Sequence, residues 1–415
     1  MGQRLRTASL LLYAAALACG RNAASASGGD SSGSVGNSGT DAGVVGGAGA
    51  DAGTGTGDSS DAGSADGSGS DGGSGSGTDG ASGSSGDVLA YTVTDLGPAV
   101  VHSIDARGRV AGDTTISGHW GGAVYTPGSG WSAVPVPAGA DYVQAIGIDA
   151  NDNVGMNAWF PQQPCIKCSV EHSYMAYPLR PVPFERHDFE TSLINAVHPV
   201  TGHVVGYDEV LGGAYFYDGM ISPIALQPWK TYDGGGPSVA TALNVHDQVV
   251  GWMHINPDSS PYNSTPAHAF VWDHGKLIDL GGGTGAGGRC DALATGINDA
   301  ALVVGVIDVG ARCGEPQMFL WDGQMHVIGC PNDAAHNCWP RAINAHGDAV
   351  GDALISIMKG GYAFIYRDGT FYRLDELVDA SGWKFEYAVG INDAGQIVGS
   401  GTLNGEGRAF VLTPR

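Results

Sequence analysis

Short apolar runs separated by tight polar turns recur along the chain from residue 90 onward. In the stretch GINDAGQIVG, Ile391 precedes the turn Asn392-Asp393-Ala394-Gly395, and an apolar run ending at Gly399 follows. Asn and Asp side chains bond their own backbone in tight turns, and Gly supplies the positive φ that closes a hairpin. A further short apolar run begins at Arg408. The pattern therefore predicts short β-strands joined by hairpin turns.

The same pattern occurs in seven copies. Each copy opens on an apolar anchor, and the anchors are Ile104, Ile148, Ile194, Leu243, Ile297, Ile343 and Ile391. Successive anchors are separated by 44 to 54 residues, and periods of about 40–50 residues are typical of propeller blades or helical solenoids. The runs are short, rich in β-branched and aromatic residues, and end in Gly or Asp-Gly, which excludes helical repeats.

The fourth copy predicts four strands, a to d, at 240–244, 248–253, 268–272 and 276–280. Four antiparallel strands in a meander form one propeller blade. The seventh copy reaches Arg415 after its c strand, whereas residues 90–97 (AYTVTDLG) match the d strand KLIDLGG. We therefore predict an all-β, seven-bladed propeller over residues 88–415, in which the N-terminal strand completes the last blade and removes exposed strand edges.

Strand alternation assigns the connections to two faces. The a–b and c–d turns lie on one face, here called the turn face, and the b–c and d–a connections lie on the other, the loop face. All the long and variable connections fall on the loop face. Binding residues are concentrated in such loops, so we expect any site there.

The repeat motif INxxGxVVG followed by HAFxW is most complete between Ala242 and Trp272. This motif resembles that of the HAF family of extracellular repeats, and the resemblance extends over residues 90–415. It implies an exported repeat protein but no single activity.

The first 19 residues have the features of an export signal. Arg4 and Arg6 precede the apolar stretch Leu10–Leu17, and small residues lead to Cys19. This resembles a bacterial lipoprotein signal, whose Cys would be lipidated, although Ala16 stands where Leu is usual. An ordinary secretory signal is the alternative. Both predict export, and the first predicts lipid anchoring at Cys19 on an outer membrane or cell surface.

Residues 20–87 consist mainly of Gly, Ser, Ala, Asp and Thr, a composition that predicts a disordered tether. Without the nine Asp of this tether and without Arg4, Arg6 and Arg21, the chain keeps 33 acidic and 16 basic residues, a net charge of −17. An acidic domain disfavours nucleic acid as a partner. We expect a monomer that meets a membrane only through its lipid anchor.

Six further cysteines fall in loop-face connections, and an even number in an exported chain indicates disulfides. Proximity favours the pairs Cys165–Cys168, Cys290–Cys313 and Cys330–Cys338 among the 15 pairings that six cysteines allow. A zinc site at Cys165, Cys168 and His172 is the alternative, but a fourth ligand is lacking. The Asn-Asp pairs of the turns are explained by Asx turns, so we predict neither a metal nor a cofactor.

Aromatic residues outside the repeat pattern either pack loops or bind ligands. They are Trp159, Trp229, Tyr232, Tyr262, Trp339 and Trp383, of which the first five are our binding candidates. Diagnostic catalytic motifs are missing from residues 88–415. The loops do hold acids and histidines without a distinctive spacing: Glu171, His172, His187, Asp188, His254, Asp258, Asp333 and His336.

Three functions fit these features. The first is a binding module whose loop face recognises a glycan, a peptide or a protein. The second is an exported propeller hydrolase or lyase acting on polysaccharide, and the third is a structural spacer. A cluster of buried, pKa-shifted His and carboxylate groups would favour an enzyme, whereas an aromatic surface without them would favour binding.

Overall fold

The computed structural model describes residues 90–161, 169–177, 180–183, 192–208, 213–218, 224–225, 238–254, 266–283, 290–310, 313–332, 337–356 and 360–415. The predicted signal segment with Cys19 and the predicted tether lie outside the described residues. So do Cys165 and Cys168.

The described strands pair as seven four-stranded antiparallel sheets. Strand β1 spans Tyr91–Gly97. Sheet 1 contains β2 (Ala99–Ile104), β3 (Val110–Ile116), β4 (His119–Thr126) and β5 (Gly130–Ala133). Sheet 2 contains β6 (Tyr142–Ile148), β7 (Val154–Pro161), β8 (Ser169–Tyr177) and β9 (Arg180–Pro183). Sheet 3 contains β10 (Ser192–Val197), β11 (Val204–Asp208), β12 (Gly213–Tyr217) and β13 (Ile224–Ala225).

The remaining sheets follow the same order. Sheet 4 contains β14 (Ser238–Leu243), β15 (Val249–His254), β16 (Ala267–Asp273) and β17 (Lys276–Gly281). Sheet 5 contains β18 (Ala292–Ile297), β19 (Val303–Val309), β20 (Glu315–Trp321) and β21 (Met325–Gly329). Sheet 6 contains β22 (Cys338–Ile343), β23 (Ala349–Ser356), β24 (Gly360–Arg367) and β25 (Thr370–Arg373), and sheet 7 contains β26 (Trp383–Ile391), β27 (Ile397–Leu403), β28 (Glu406–Pro414) and β1.

The one short helix in the described ranges, α1 (Leu374–Leu377), follows β25. In those ranges, no helix is long and apolar enough to cross a membrane. Strand β1 pairs with β28, from Tyr91 opposite Pro414 to Gly97 opposite Ala409. Small antiparallel meander sheets arranged side by side define a β-propeller, which confirms the prediction of an all-β propeller.

We call the first strand of each sheet its innermost strand, because it contacts the first strand of the next sheet. Strand β2 contacts β6, β6 contacts β10, and the series continues through β14, β18 and β22 to β26, which contacts β2. Apolar side chains fill the seams between neighbouring sheets, as where Phe216 of sheet 3 packs 5.4 Å from Trp272 of sheet 4. The third strands supply the fully buried rings Phe270, Phe319, Phe364 and Phe410.

The third anchor was misplaced in the sequence analysis. Val197 pairs with Val204, as Ile148 pairs with Val154 in the preceding sheet. Ile194 instead lies before the register shift of β10, opposite Gly206. The turn after Val197 starts at His198, where most other copies have Asn or Asp, so the pattern aligned Ile194 in error.

The apolar run of the second strand, such as Val249-Val250-Gly251, ends in a glycine because the innermost strand approaches too closely for a side chain. Each innermost strand carries a register shift near its middle, as between Ala240 and Ala242. There a Cβ atom added at Gly251 would overlap the carbonyl oxygen of Val239. The same overlap with the innermost strand would occur at the equivalent glycines Gly112, Gly206, Gly305, Gly351 and Gly399.

An asparagine at the start of the a–b turn holds both its own turn and the next sheet. Asn298 Oδ1 accepts hydrogen bonds from the backbone N–H of Ala300 at 3.1 Å and of Leu302 at 2.9 Å. Its Nδ2 donates to the backbone oxygen of Asn344, the equivalent residue of sheet 6, at 3.0 Å. One side chain therefore forms an Asx turn and bridges two sheets.

The same bridge recurs from sheet to sheet. Asn244 donates to Asn298 at 3.0 Å, Asn344 donates to Asn392 at 3.3 Å, and Asn392 donates to the backbone oxygen of Asp105 at 2.9 Å. The last bond joins sheet 7 to sheet 1. The neighbouring acids of the motif add to the bridge, because Asp299 accepts a hydrogen bond from the backbone N–H of Val245 in the preceding sheet.

Sheets 1 to 3 have other residues in the asparagine position and use other donors. Asp105 has no side-chain N–H to donate, and Arg109 reaches from sheet 1 to the backbone oxygen of Asp149 in sheet 2 at 3.0 Å. The backbone N–H of Ala150 donates to Pro199 of sheet 3 at 2.7 Å. His203 of sheet 3 lies 2.8 Å from the Asp247 carboxylate of sheet 4. We call these bonds together the turn-face circuit.

We expect Asn298→Ala to lower the free energy of unfolding by roughly 2–4 kcal/mol, because it removes one inter-sheet bond and leaves buried backbone groups of the turn unpaired. Asn298→Asp keeps the acceptor and loses only the donor, so its effect should be smaller. Denaturant titration of the full chain measures both. The control is His246→Ala, an exposed turn position that bonds Asn244 through its backbone N–H, which the substitution keeps; it should cost less than about 0.5 kcal/mol. Equal losses at positions 298 and 246 would contradict the bridging role.

Candidate functional site

Three aromatic side chains meet at the loop-face end of sheets 1 and 2. Trp120 follows the tight turn at Ser117 and Gly118, both with positive φ, and is 41% exposed. Tyr142 is the first residue of β6 and pairs with Trp159 of β7. The rings of Tyr142 and Trp159 have centroids 5.0 Å apart and are tilted by 40°. We call Trp120, Tyr142 and Trp159 the aromatic surface.

A histidine and a buried aspartate lie beside this surface. His102 occupies the register shift of β2, and its Nε2 lies 2.9 Å from Oδ2 of Asp113 on β3. Asp113 is 1% exposed, and its other oxygen accepts a hydrogen bond from the backbone N–H of Ala145 in sheet 2. Because a carboxylate only accepts, the Nε2 of neutral His102 carries the proton, and Nδ1 is left as an acceptor.

Tyr142 connects the aspartate to the exposed indole. Burial raises the pKa of the Tyr142 hydroxyl, and the charge of Asp113 and a hydrogen bond to it act in the same direction. A hydrogen bond with Trp120 lowers that pKa, and the indole N–H can only donate. Tyr142 therefore lies between Trp120 and Asp113, and His102 donates to Asp113 at 2.9 Å.

This arrangement provides a flat apolar ring and a hydrogen-bond acceptor side by side. The histidine side chain keeps 14% exposure. The neighbouring hydroxyl of Ser103 donates to the backbone oxygen of Ile146 at 2.8 Å. No group of three His, Cys, Asp or Glu side chains suited to a metal ion occurs in the described ranges.

Sheet 6 repeats the same pairing with an arginine. Arg341 lies at the register shift of β22, and its Nε donates to Oδ1 of Asp352 on β23. Burial raises the pKa of Asp352, and the charge of Arg341 opposes that shift. Asp113 and Asp352 occupy equivalent positions, one residue after the repeat glycine of the second strand.

Two of the three predicted disulfides are confirmed. Cys290 bonds Cys313, and Cys330 bonds Cys338. Both bridges join loop-face segments, one from the entry to β18 to the entry to β20, the other from the end of β21 to the start of β22. The predicted pair Cys165–Cys168 lies outside the described residues.

The predicted binding aromatics are only partly placed by the structure. Trp229, Tyr232 and Tyr262 lie outside the described residues. The assignment of Trp159, Trp339 and Trp383 to loops is wrong, since they lie in β7, β22 and β26. The strand ladders run past the repeat motif because the neighbouring strands are equally long, as where Trp159 pairs with Tyr142 on one side and with Glu171 on the other.

Trp159 and Trp339 are both half-buried and both lie at the loop-face ends of their strands. Trp383 packs 5.5 Å from Phe385 and 6.0 Å from Phe410, which makes it part of the core of sheet 7. Among the loop acids and histidines, Glu171, His172 and His254 lie in strands β8 and β15 instead of loops. The others, His187, Asp188, Asp258, Asp333 and His336, lie outside the described residues.

The sequence analysis did not identify His102, Asp113, Trp120 or Tyr142. A signal was present, because Asp113 follows the repeat glycine at a position where the fourth and fifth copies have Trp252 and Val306. An acid in place of an apolar residue inside a strand indicates either a buried ion pair or a site.

Comparisons with known proteins add a fold likeness only. No known family model matches the chain, and no curated protein matches it. The propeller domain of the trilobed protease from Pyrococcus furiosus aligns with TM-score 0.48 and 10% identity, over 76% of this chain and 95% of that one. An inactive variant of virginiamycin B lyase from Staphylococcus aureus aligns with TM-score 0.43 and 12% identity, over 78% and 99%.

An acylaminoacyl peptidase aligns with TM-score 0.43 and 9% identity, over 77% of this chain and 52% of that one. Similarities this low say nothing about activity. The fold of this chain is established by its own sheet topology, and the HAF resemblance stays a prediction.

We expect loss of the Cys290–Cys313 bridge to cost roughly 3 kcal/mol and loss of the Cys330–Cys338 bridge somewhat less, because the stabilisation grows with the length of the closed loop. The two bridges span 23 and 8 residues. The paired Cys→Ala variants, compared by denaturant titration, test this order. A larger loss for the shorter bridge would show that loop closure is not its main contribution.

Proposed function

We propose that this protein is an exported binding module that recognises its ligand through the loop face. The observation that supports it most is the aromatic surface, where an indole that is 41% exposed lies against Tyr142 and beside Trp159. An exposed large aromatic ring that is held by a hydrogen bond provides contact area at low entropic cost. The disulfides on the same face reduce the ordering cost further.

We also infer that the seven sheets are the blades of one closed ring. Support comes from β1, which provides the fourth strand of sheet 7, and from the contacts of β2 with β26 and β27. The bond from Asn392 to Asp105 spans 287 residues of sequence and joins the same two sheets. A closed ring would hold the loop-face connections of all the sheets around one axis, where a single ligand can reach several of them.

The predicted signal and tether extend the proposal to location. We expect Cys19 to be lipidated and the mature chain to start there, with the tether of residues 20–87 separating the propeller from an outer membrane or cell surface. Mass spectrometry of the protein from its native envelope should find a diacylglyceryl group on that cysteine. An unmodified N-terminus at another residue would leave a secretory signal as the explanation.

A hydrolase or lyase acting on polysaccharide is the second candidate. The pairing of His102 with the buried Asp113 favours it, since a carboxylate that orients an imidazole is a common arrangement for general base catalysis. The exposed Trp120 ring beside the pair makes binding the better supported function. The structural spacer remains the outcome if the loop face binds nothing.

We expect Trp120→Ala to reduce ligand binding at least about tenfold while the fold stays intact, because it removes the exposed ring of the aromatic surface. The full chain is screened on immobilised cell-surface glycans and envelope proteins, and the variant is tested on the ligands found. Trp159→Ala and Trp339→Ala probe the rest of the loop face. The control is Val327→Ala, which truncates a 46% exposed side chain on the outer strand β21.

Thermal unfolding is followed in parallel to separate binding from stability. Unchanged binding in all three tryptophan variants would exclude the loop face and favour the spacer. Turnover of a polysaccharide by the wild-type chain would instead favour the enzyme.

A further inference from the structure

We propose that the ligand of the aromatic surface is a neutral glycan, with one sugar ring stacked on Trp120 and one hydroxyl donating to Nδ1 of His102. This inference rests on the proposed binding function and specifies its ligand class. It follows from the hydrogen-bonding state of four side chains: His102, Trp120, Tyr142 and Gln144.

Trp120 is the exposed member of the aromatic surface. It is 41% exposed, and its indole interacts with the half-buried Tyr142, whose hydroxyl lies beside Asp113. An exposed ring held against a neighbouring side chain suits a ligand with a flat apolar face, such as the C–H face of a pyranose.

Two acceptors near the surface lack donors. His102 Nε2 is bound to Asp113, and its Nδ1 has no partner in the described part of the chain. Gln144 lies on β6 two residues after Tyr142, on the same side of the strand. It is 6% exposed, and its Oε1 atom is buried without a hydrogen-bond partner.

A buried acceptor without a donor is costly, at about 1–3 kcal/mol, so a ligand that supplies a donor gains affinity there. A ligand that fits must combine hydroxyl donors with an apolar face, and a sugar has both. The cluster has no cation free of a carboxylate partner to receive an anion, because Asp113 already binds His102. The net charge of −17 on the folded residues also repels anionic polymers.

Asp113 also has a structural role that does not by itself imply a ligand. Asn157, the equivalent residue of sheet 2, likewise bonds the next sheet, accepting from the N–H of Ile194 at 2.8 Å. Asp113 differs because its second oxygen holds an imidazole and the hydroxyl of Tyr142 is bonded to the same carboxylate. The bond to the next sheet therefore accounts for one carboxylate oxygen of Asp113, and the bond to His102 in the candidate site accounts for the other.

The test uses the full chain and a neutral β-1,4-linked glucose hexasaccharide, with a β-1,4-linked mannose hexasaccharide as a second neutral probe and oligogalacturonate as the anionic one. We expect titration calorimetry to detect at least one neutral probe and not the anionic one. His102→Gln should weaken that binding by about tenfold, since the amide nitrogen still donates to Asp113 while the acceptor moves from Nδ1 of the ring to the amide oxygen, at a different position.

Gln144→Met provides an independent variant that is expected to fold. It replaces a buried unpaired acceptor by an apolar side chain of similar shape, so thermal stability should stay the same or rise while glycan binding weakens. A purely structural role of Gln144 would not lower binding while stability is kept.

The outcomes separate this inference from the function on which it rests. If Trp120→Ala loses binding while His102→Gln and Gln144→Met keep it, the hydrogen-bonding part is wrong and loop-face binding stands. If the wild-type chain binds neither neutral probe, or prefers oligogalacturonate, the neutral-glycan class is wrong. If it binds a peptide or protein through Trp120, the ligand class is overturned while the proposed function survives.

Discussion

The fold depends on one side chain that satisfies two demands at once. At the start of an a–b turn, an asparagine accepts backbone hydrogen bonds within its own turn and donates to the backbone of the next sheet, as Asn298 does toward Asn344. Only an amide of this length offers both an acceptor and a donor there. When Asp105 takes this position the acceptor is kept and the donor is lost, and Arg109 supplies the missing N–H toward sheet 2.

The turn-face circuit explains why variation and chemistry lie on the opposite face. Each a–b turn is bonded to its neighbour, so its length and residues are restricted by the adjacent sheet as well as by its own hairpin. In the described parts of the b–c and d–a connections, no such bond recurs between equivalent residues. These connections differ in length along the sequence, and two disulfides stabilise parts of them instead. The turn face thus provides rigidity while the loop face varies.

Much of this architecture could be predicted from the sequence, because the turns impose local residue choices. Alternation and Asx-turn chemistry identified the strands. The four strands predicted for the fourth copy begin and end within two residues of the observed β14 to β17. The third anchor was misplaced because His198 replaces the asparagine and lengthens the turn. The loop aromatics were misassigned because the length of a ladder depends on the partner strand, as Trp159 opposite Tyr142 shows.

The candidate site was harder to predict, because its residues meet only after the register of the innermost strand shifts. His102 lies at that shift, eleven residues before Asp113, and neither spacing nor motif indicates the contact. In a repeat protein, however, the copies are comparable with one another. Where a position is apolar in some copies and acidic in others, the acidic side chain does not pack as its apolar equivalents do. Asp113 and Asp352 are two such departures, and each holds a cationic or basic partner at the shift of its neighbouring strand. Internal comparison of the sheets therefore separates residues that build the propeller from residues that individual sheets add to it, and among the described residues the pair in sheet 1 lies beside an exposed aromatic ring.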